Sequence, residues 1–217
     1  MAIKLAFFDC DGTLTKVKSS WEYVHRKLNI WDEKADRYQA LFRAGEINYH
    51  EFCRRDALLW RGLPVNRVTE ILKDIPYQNG CRETILALQE KGIRTVILST
   101  GLSLLINRVR DELGIDIAFA NDLLSDNGYL TGEIQINVDF DKKGLLVEKT
   151  LASMGVARDE SCAVGDGEGD IGMFDAVGLP IAFCPEGINL LNTIQHVVKN
   201  QSLLDVVRIV GEHGGYI

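Results

Sequence analysis

Short apolar runs recur along the 217-residue chain, separated by stretches whose apolar residues have helical spacing. Contiguous apolar residues are typical of parallel strands that are covered on both faces. The predicted strands are residues 3–9, 92–99, 161–165 and 179–183. Helical patterns between them end at Gly114 and Gly155, and glycine commonly stops a helix. This alternation predicts an α/β fold with a doubly wound parallel sheet.

Residues 16–77 interrupt this alternation. They contain no clear strand pattern and place tryptophan, tyrosine and leucine at helical spacing. A crossover between parallel strands usually needs only on the order of a dozen residues, helix included. We therefore expect a small helical cap inserted after the first strand, with ordinary crossover helices as the alternative. The core domain is expected to comprise residues 1–15 and 78–217, and the cap domain residues 16–77.

A β-hairpin is predicted over residues 121–138. Asp126, Asn127 and Gly128 supply a strong turn signal between two strand-like stretches. We expect this hairpin to lie beside the main sheet.

Residues that could bind a ligand or take part in a reaction lie at the ends of three of the predicted strands. They are Asp9, Asp11 and Gly12 after the first, Ser99, Thr100 and Gly101 after the second, and Asp166 and Asp170 after the third. Lys143 begins the helical pattern that precedes the third of these strands. Taken singly, each motif has an ordinary explanation as a turn, a helix cap or a solvated lysine. Because ligands bind at the carboxyl edge of such sheets, we expect the motifs to form one site.

The residue types at this edge indicate a reaction class. Up to four carboxylates would repel one another unless a divalent cation neutralised them, and oxygen ligands suit Mg²⁺, which also takes substrate phosphate as a ligand. Ser99, the backbone N–H groups after it and Lys143 would form an anion site, with a helix N-terminus behind it. An acid cluster, a metal and anion donors facing one another are the requirements of phosphoryl transfer.

The composition and net charge of the chain indicate which kinds of partner are excluded. The net charge of −7 disfavours a broad basic face, so we expect no nucleic acid and no membrane partner. No apolar run approaches the roughly 20 residues of a membrane helix, and the N-terminal stretch has no signal-peptide pattern. Five scattered cysteines without a CxxC pair are typical of reduced thiols. We therefore expect a cytoplasmic protein. The phosphoryl-transfer chemistry described above predicts that its partner is a small phosphorylated metabolite. We expect the chain to be a monomer or a homodimer.

Four segments of the chain resemble a known family. FFDCDGTLT, VILSTG, the Lys143-Gly144 pair and GDGEGD match, in order, the four motifs of haloacid dehalogenase (HAD) superfamily phosphatases. FANDLLSDNGYLTGEI and LPIAFC are similar to the phosphoserine phosphatase-like branch. The resemblance covers residues 3–15 and 78–185 and is looser over the cap. It implies a HAD-like Rossmannoid core, Mg²⁺ as cofactor and hydrolysis through an aspartyl-phosphate intermediate.

Position by position, the resemblance implies a role for each motif residue. Asp9 resembles the nucleophile, and Asp11 resembles the general acid/base. The implied metal ligands are Asp9, Asp11 through its backbone carbonyl, Asp166 and Asp170. The implied phosphate or substrate contacts are Cys10, Gly12, Ser99, Thr100, Gly101 and Lys143.

Two cap positions depart from the phosphoserine-binding pattern of this branch. Lys18 stands where a glutamate pairs with the substrate ammonium, and Glu22, one helical turn further on, is a candidate to compensate. Asp56 stands where an arginine pairs with the substrate carboxylate. Both charges are reversed, and like charges repel. We therefore expect these three residues to contact a substrate with a cation near Asp56 or an anion near Lys18, with phosphoserine as an alternative.

Two other functions stay open. A phosphotransferase or phosphomutase would use the same aspartyl phosphate. A non-catalytic module that binds a phosphorylated ligand usually lacks an aspartate of the first motif, whereas this chain keeps Asp9 and Asp11.

Overall fold

A seven-stranded sheet forms the centre of the computed structural model, which describes residues 1–30, 33–185, 193–200 and 202–215. The strands are β1 (Leu5–Phe8), β2 (Arg94–Leu102), β3 (Ile117–Asp126), β4 (Tyr129–Gln135), β5 (Ser161–Gly165), β6 (Leu179–Phe183) and β7 (His196–Val198). Their order is β4-β3-β2-β1-β5-β6-β7, and every neighbouring pair is parallel except β3 and β4. The predicted α/β fold with a doubly wound sheet is confirmed.

Helices connect the strands. They are α1 (Ser20–Lys27), α2 (Glu33–Arg43), α3 (Tyr49–Leu58), α4 (Val65–Lys73), α5 (Cys81–Glu90), α6 (Ser103–Leu113), α7 (Lys143–Met154), α8 (Ile171–Asp175) and α9 (Leu204–Gly214). α6 and α7 end at Gly114 and Gly155, which adopt the left-handed conformation. Residues 186–192 of the predicted core domain lie outside the described residues. In the described part of the chain, no helix is long and apolar enough to cross a membrane.

The apolar run of β1 is contiguous because both faces of the sheet are covered. Phe7 belongs to a core cluster with residues of α7 and α8, whereas Phe8 belongs to one with residues of α5, α6 and α9. Both side chains are fully buried. Burying a side chain of this size contributes about 1.5–3 kcal/mol. β1 is therefore held in the middle of the sheet, and the residues after it have a fixed position at the carboxyl edge.

The hairpin lies at one edge of the sheet, next to β2, and is joined to the sheet through β3. β3 first runs parallel to β2, with Ile117 opposite Val96, and then pairs antiparallel with β4. Asn127 and Gly128 have φ values of 48° and 82°, as a two-residue hairpin turn requires. Most of β3 is only partly buried. β3 begins at residue 117, four residues before the predicted hairpin. Because its residues are mostly partly buried and include polar ones, the sequence has no contiguous apolar run to mark the start of this strand.

Helices α1 to α4 follow one another with no named strand between them in the described residues. These helices and their connecting loops contact the hairpin, where the Gly62 amide in the loop after α3 donates to the Leu130 carbonyl (2.8 Å). They also contact β2, where the Tyr49 hydroxyl donates to the Thr100 carbonyl (3.0 Å). We propose that residues 16–77 are the cap expected from the sequence, placed over the carboxyl edge of the sheet.

Candidate active site

Three carboxylates come together at the carboxyl edge of the sheet. Asp9 follows β1, Asp166 follows β5, and Asp170 ends a short 3₁₀ turn beyond β5. One oxygen from each lies within 4.8 Å of the others, and all three residues are buried. β1 and β5 are parallel neighbours with Phe8 opposite Val164, so the residues that follow them must meet.

Asp11 makes a different contact. Its Oδ2 accepts hydrogen bonds from the amide (2.7 Å) and the hydroxyl (2.6 Å) of Ser20, the first residue of α1. Its Oδ1 is buried and has no hydrogen-bond partner among the described residues. Burial raises the pKa of Asp11, and the hydrogen bonds from Ser20 oppose that rise. Asp11 is thus held in place with one oxygen available for a proton.

Lys143 joins the acid cluster from the first residue of α7. Its Nζ donates to Asp9 Oδ1 (2.6 Å) and to Asp170 Oδ1 (2.7 Å), and its side chain is 3% exposed. Burial alone would lower the pKa of Lys143, but attraction to Asp170 and Asp9 outweighs burial and raises it. Burial raises the pKa of Asp9 well above its ordinary value, with Lys143 opposing. A charged ammonium therefore lies against the carboxylate that ends β1.

The loop after β1 encloses Asp166. The Thr13 hydroxyl (3.1 Å) and Lys18 Nζ (2.7 Å) donate to its two carboxylate oxygens. Gly12 has a φ of +82°, and a Cβ at this position would overlap the Asp166 carboxylate, so both the turn and the close approach require glycine. Burial raises the pKa of Asp166 to about 6, although Lys18 opposes it. Lys18, expected near the substrate, lines the cavity but is paired with the acid cluster.

The acid cluster fits a divalent cation. Asp9, Asp166 and Asp170 offer buried carboxylate oxygens that are close enough to share one ion, and Mg²⁺ takes such hard oxygen ligands. The raised pKa values of Asp9 and Asp166 reflect the cost of burying charged carboxylates together, which a cation would offset. Because the Asp11 carboxylate is bound to Ser20, the implied metal role of Asp11 concerns its backbone carbonyl and stays a prediction.

Asp166→Asn is expected to change how the stability of the metal-free protein depends on pH. The folded-state pKa of about 6 lies above the ordinary value of 3.8, so between these values the folded chain holds a proton that the unfolded chain has released. The wild type therefore loses stability as pH rises through this window, by up to about 3 kcal/mol. Asparagine does not titrate. Urea unfolding with a chelator measures the free energy of unfolding of both proteins. Between about pH 4 and pH 6, the wild type should lose stability relative to the variant as pH rises. A difference between the two proteins that stays constant over this range would contradict the raised pKa of Asp166.

A cavity of about 980 Å³ lies over these groups, a volume typical of a small-molecule site. Its floor includes Asp9, Asp11, Ser99, Thr100, Gly101, Lys143, Asp166 and Asp170. Its helical wall includes Lys18, Trp21, Glu22, Tyr49, Phe52 and Asp56. The predicted site residues Cys10 and Gly12 do not line this cavity, and Cys10 is fully buried in the core. Any contact of Cys10 with phosphate would be made by its backbone amide and stays a prediction.

The second motif lies within a strand and not in a helix cap. β2 continues to Leu102, but its pairing with β3 shifts register between Leu98 and Leu102. Ser99 and Gly101 therefore sit where regular pairing is interrupted, and the Gly101 amide donates to the Ser99 hydroxyl (3.1 Å). Ser99 lines the cavity together with Asp11 and Lys143.

The sequence did not reveal the residues that join the cap to the site. Asn121 Nδ2 donates to the Tyr49 hydroxyl (3.0 Å) and to the Thr100 carbonyl (3.1 Å). Its Oδ1 accepts from the amides of Asn137 and Val138 (2.8 Å each). The one available signal was a polar residue inside the strand-like segment FANDLL, and such a residue needs hydrogen-bond partners when it is buried.

The two cap acids differ in their surroundings. Glu22 pairs with Arg26 on the same helix (2.7 Å) and is partly exposed. Asp56 is 3% exposed, and its Oδ2 lies 3.6 Å from Nε2 of His25. The structure therefore brings Asp56 to the cavity as a buried group and Glu22 as a solvated one.

Comparisons with known proteins agree with this geometry. A family model described as haloacid dehalogenase-like hydrolase matches residues 6–175. The chain is 31% identical to a phosphoserine phosphatase of Methanocaldococcus jannaschii over 208 residues, which cover 95% of this chain and 97% of that protein. It is 32% identical to a phosphoserine phosphatase of Campylobacter jejuni subsp. doylei over 211 residues, which cover 96% of this chain and all of that protein.

Solved structures of phosphoserine phosphatases also resemble this chain. A phospho-aspartyl intermediate analogue of phosphoserine phosphatase has a TM-score of 0.84 and 29% identity, covering 96% of this chain and 99% of that one. A substrate-bound phosphoserine phosphatase complex has a TM-score of 0.85 and 29% identity, covering 96% and 98%. The resemblance to the phosphoserine phosphatase-like branch is confirmed.

Proposed function

The chain belongs to the haloacid dehalogenase-like hydrolase family, and we propose that it is a phosphatase that hydrolyses a small phosphorylated metabolite in the cavity above Asp9. The contact that carries this proposal joins Lys143 Nζ to Asp9 Oδ1 (2.6 Å) on the cavity floor. It places a charged donor for phosphoryl oxygens beside a carboxylate suited to attack phosphorus. Relatives named phosphoserine phosphatase support a phosphomonoester as the substrate.

Asp9 is the proposed nucleophile. Lys143 holds its Oδ1, and the other oxygen forms a bond to phosphorus while the bond from phosphorus to the leaving oxygen breaks. The Lys143 ammonium and the Ser99 hydroxyl stabilise the charge on the phosphoryl oxygens. Asp11 gives its proton to the leaving oxygen, and its raised pKa favours carrying that proton.

Asp11 also serves the second step. Its ionised carboxylate takes a proton from water while the water oxygen attacks the aspartyl phosphate. The bond between phosphorus and Asp9 breaks, inorganic phosphate leaves, and Asp9 and the protonated Asp11 are restored. Ser20 donates both of its hydrogen bonds to Oδ2, and Oδ1 has no hydrogen-bond partner among the described residues.

Asp9, Asp166 and Asp170 would hold the Mg²⁺ that we propose as cofactor. When bound, the ion supplies positive charge that neutralises the phosphoryl oxygens. The surrounding residues fix these ligands, since Asp170 accepts hydrogen bonds from the amides of Asp166 (2.9 Å) and Gly167 (3.1 Å).

Phosphate release tests the proposed function. With Mg²⁺ present, the protein is expected to release inorganic phosphate from phosphoserine or other small phosphomonoesters and from 4-nitrophenyl phosphate, and excess chelator should stop the release. Transfer of the phosphoryl group to an added sugar or alcohol in place of phosphate release would indicate a phosphotransferase. No turnover of any ester in a broad panel would contradict the proposal.

Asp11→Asn is expected to lower kcat/KM by about 10²-fold for an alkyl phosphate. The loss should be smaller for 4-nitrophenyl phosphate, because nitrophenolate leaves without needing a proton. Steady-state kinetics with both esters measures the difference, since kcat/KM reports the first irreversible step. An equal loss for both esters would argue against Asp11 as the proton donor to the leaving group.

A further inference from the structure

We propose that Lys18 is an exchangeable counter-ion of Asp166, whose ammonium holds this carboxylate until a divalent cation binds and then moves into the cavity. The inference rests on the proposed function, because it concerns the affinity of the proposed Mg²⁺ site. Lys18 Nζ donates to Asp166 Oδ2 (2.7 Å), and Asp166 is one of the three carboxylates that could share an ion. Lys18 would therefore determine how tightly this site binds a divalent cation.

The Asp166 carboxylate cannot serve two cations without a cost. Its Oδ1 accepts a hydrogen bond from the Thr13 hydroxyl (3.1 Å), and its Oδ2 accepts the one from Lys18. A divalent cation on either oxygen would lie close to the Lys18 ammonium. Two positive charges on one buried carboxylate repel each other strongly, because the low local dielectric increases their interaction. The ammonium and the ion are therefore expected to compete for Asp166.

The charge of the acid cluster favours exchange over simple addition of the ion. When they are ionised, Asp9, Asp166 and Asp170 carry three negative charges, against the two positive charges of Lys18 and Lys143. A divalent cation that replaces the Lys18 ammonium makes the cluster neutral. The same cation added beside Lys18 leaves one positive charge in excess. Unbalanced charge at a buried site is costly, so the exchanged arrangement is the more stable one.

Lys18 and Lys143 differ in their freedom to leave the cluster. The Lys143 side chain is 3% exposed and donates to both Asp9 and Asp170. The Lys18 side chain is 41% exposed and lines the cavity. An ammonium on a flexible four-carbon chain can therefore move from Asp166 into cavity water at little cost. Lys143 is the fixed cation of the site, and Lys18 is the exchangeable one.

Other contacts hold both ends of the Lys18–Asp166 pair. The Thr13 hydroxyl donates to Asp166, and the Asp166 amide donates to Asp170 Oδ2 (2.9 Å). Lys18 lies between the first-motif loop and α1, and the next residue, Ser19, caps α1 by accepting a hydrogen bond from the Glu22 amide (3.2 Å). The ammonium can therefore leave while the carboxylate and the start of α1 keep their positions.

Calorimetric titration with Mg²⁺ tests the exchange directly. Lys18→Met removes the ammonium and keeps an unbranched side chain. The variant is expected to bind Mg²⁺ about 10-fold more tightly than the wild type, because the ion no longer has to break a charge-assisted hydrogen bond. Lys18→Arg keeps a positive charge at this position and should keep the wild-type affinity.

Lys4→Met is the matched control, because it removes the same charge from an exposed lysine. Lys4 precedes β1 at the opposite edge of the sheet and pairs with Glu160 (2.6 Å). Its variant should bind Mg²⁺ as the wild type does. Equal or weaker binding by Lys18→Met would overturn the proposal, since weaker binding would mean that Lys18 orders Asp166 for the ion. An equal gain in Lys4→Met would overturn it as well, because the gain would then reflect net charge alone.

Urea unfolding gives an independent measure of the same difference. At one saturating Mg²⁺ concentration, the ion should raise the free energy of unfolding by about 1.4 kcal/mol more in Lys18→Met than in the wild type, which is the tenfold affinity difference converted. An equal increase in both proteins would contradict the exchange.

Binding and turnover separate this inference from the proposed function, since calorimetry needs no substrate. The expected affinity difference without turnover of any ester would refute the phosphatase activity alone. Mg²⁺-dependent turnover with equal affinities would refute the exchange alone. If Lys18→Met does not fold, NMR of the wild type with isotopically labelled lysine decides. The ammonium protons of Lys18 should exchange with solvent faster once Mg²⁺ is added, and an unchanged rate would overturn the proposal.

Discussion

Asp9→Asn is expected to abolish phosphate release from every substrate, with kcat at least about 10³-fold lower. The amide has the shape of the carboxylate but lacks an anionic oxygen that can attack phosphorus. Lys143 keeps Asp170 as a partner (2.7 Å), so the floor of the cavity retains its positive charge. Steady-state phosphate release measures the loss, and cooperative thermal unfolding of the variant would show that the loss does not arise from misfolding.

Mass spectrometry of the acid-quenched protein distinguishes the roles of Asp9 and Asp11, because only the nucleophile carries the phosphoryl group. Asp11→Asn makes the same change two residues away and keeps the nucleophile, so a phosphoryl group should still be found on the peptide that contains Asp9. Asp9→Asn should carry none. A phosphorylated Asp9→Asn protein, or activity within tenfold of the wild type, would exclude Asp9 as the nucleophile.

The carboxyl edge of the sheet could be predicted because it depends on local pattern and topology. β1 is buried on both faces, so contiguous apolar residues mark it, and its parallel pairing with β5 brings Asp9 and Asp166 together. Gly12 follows from the same local pattern, since a left-handed turn directly after β1 requires glycine. The ends of buried strands and the residues of tight turns can therefore be predicted from the sequence.

The partners of the polar side chains could not be predicted, because they lie far apart in the sequence. Lys18 and Asp166 are 148 positions apart, and His25 and Trp60 are 35 positions apart. Helical periodicity indicates that His25 lies on the buried face of α1, but it does not show which polar group that face meets. Reversed charge at Asp56 was visible in the sequence, whereas its unpaired oxygen depends on tertiary packing.

Lys143→Met is expected to destabilise the metal-free protein by about 3–5 kcal/mol at pH 7 and to lower kcat by about 10²–10³-fold. Methionine is an unbranched side chain without the charge, so the loss is mainly electrostatic. Without the ammonium, Asp9 and Asp170 remain buried beside each other with no shared donor. Lys142→Met is the matched control, because Lys142 is exposed and pairs with Asp139 at the surface (2.8 Å). Its effect on the free energy of unfolding should stay below about 1 kcal/mol.

The pH dependence of this loss distinguishes missing charge from missing packing. Lys143 opposes the burial that raises the pKa of Asp9, so its removal raises that pKa further. A carboxyl group with a raised folded-state pKa holds a proton that the unfolded chain releases, and the folded state gains stability as pH falls. Urea unfolding with a chelator should therefore show a gap in the free energy of unfolding between wild type and Lys143→Met that narrows as pH falls through the titration of Asp9. A gap of constant size at every pH at which both proteins fold would mean that Lys143 acts through the packing of its aliphatic chain, and its ammonium would not be the counter-charge of the proposed nucleophile.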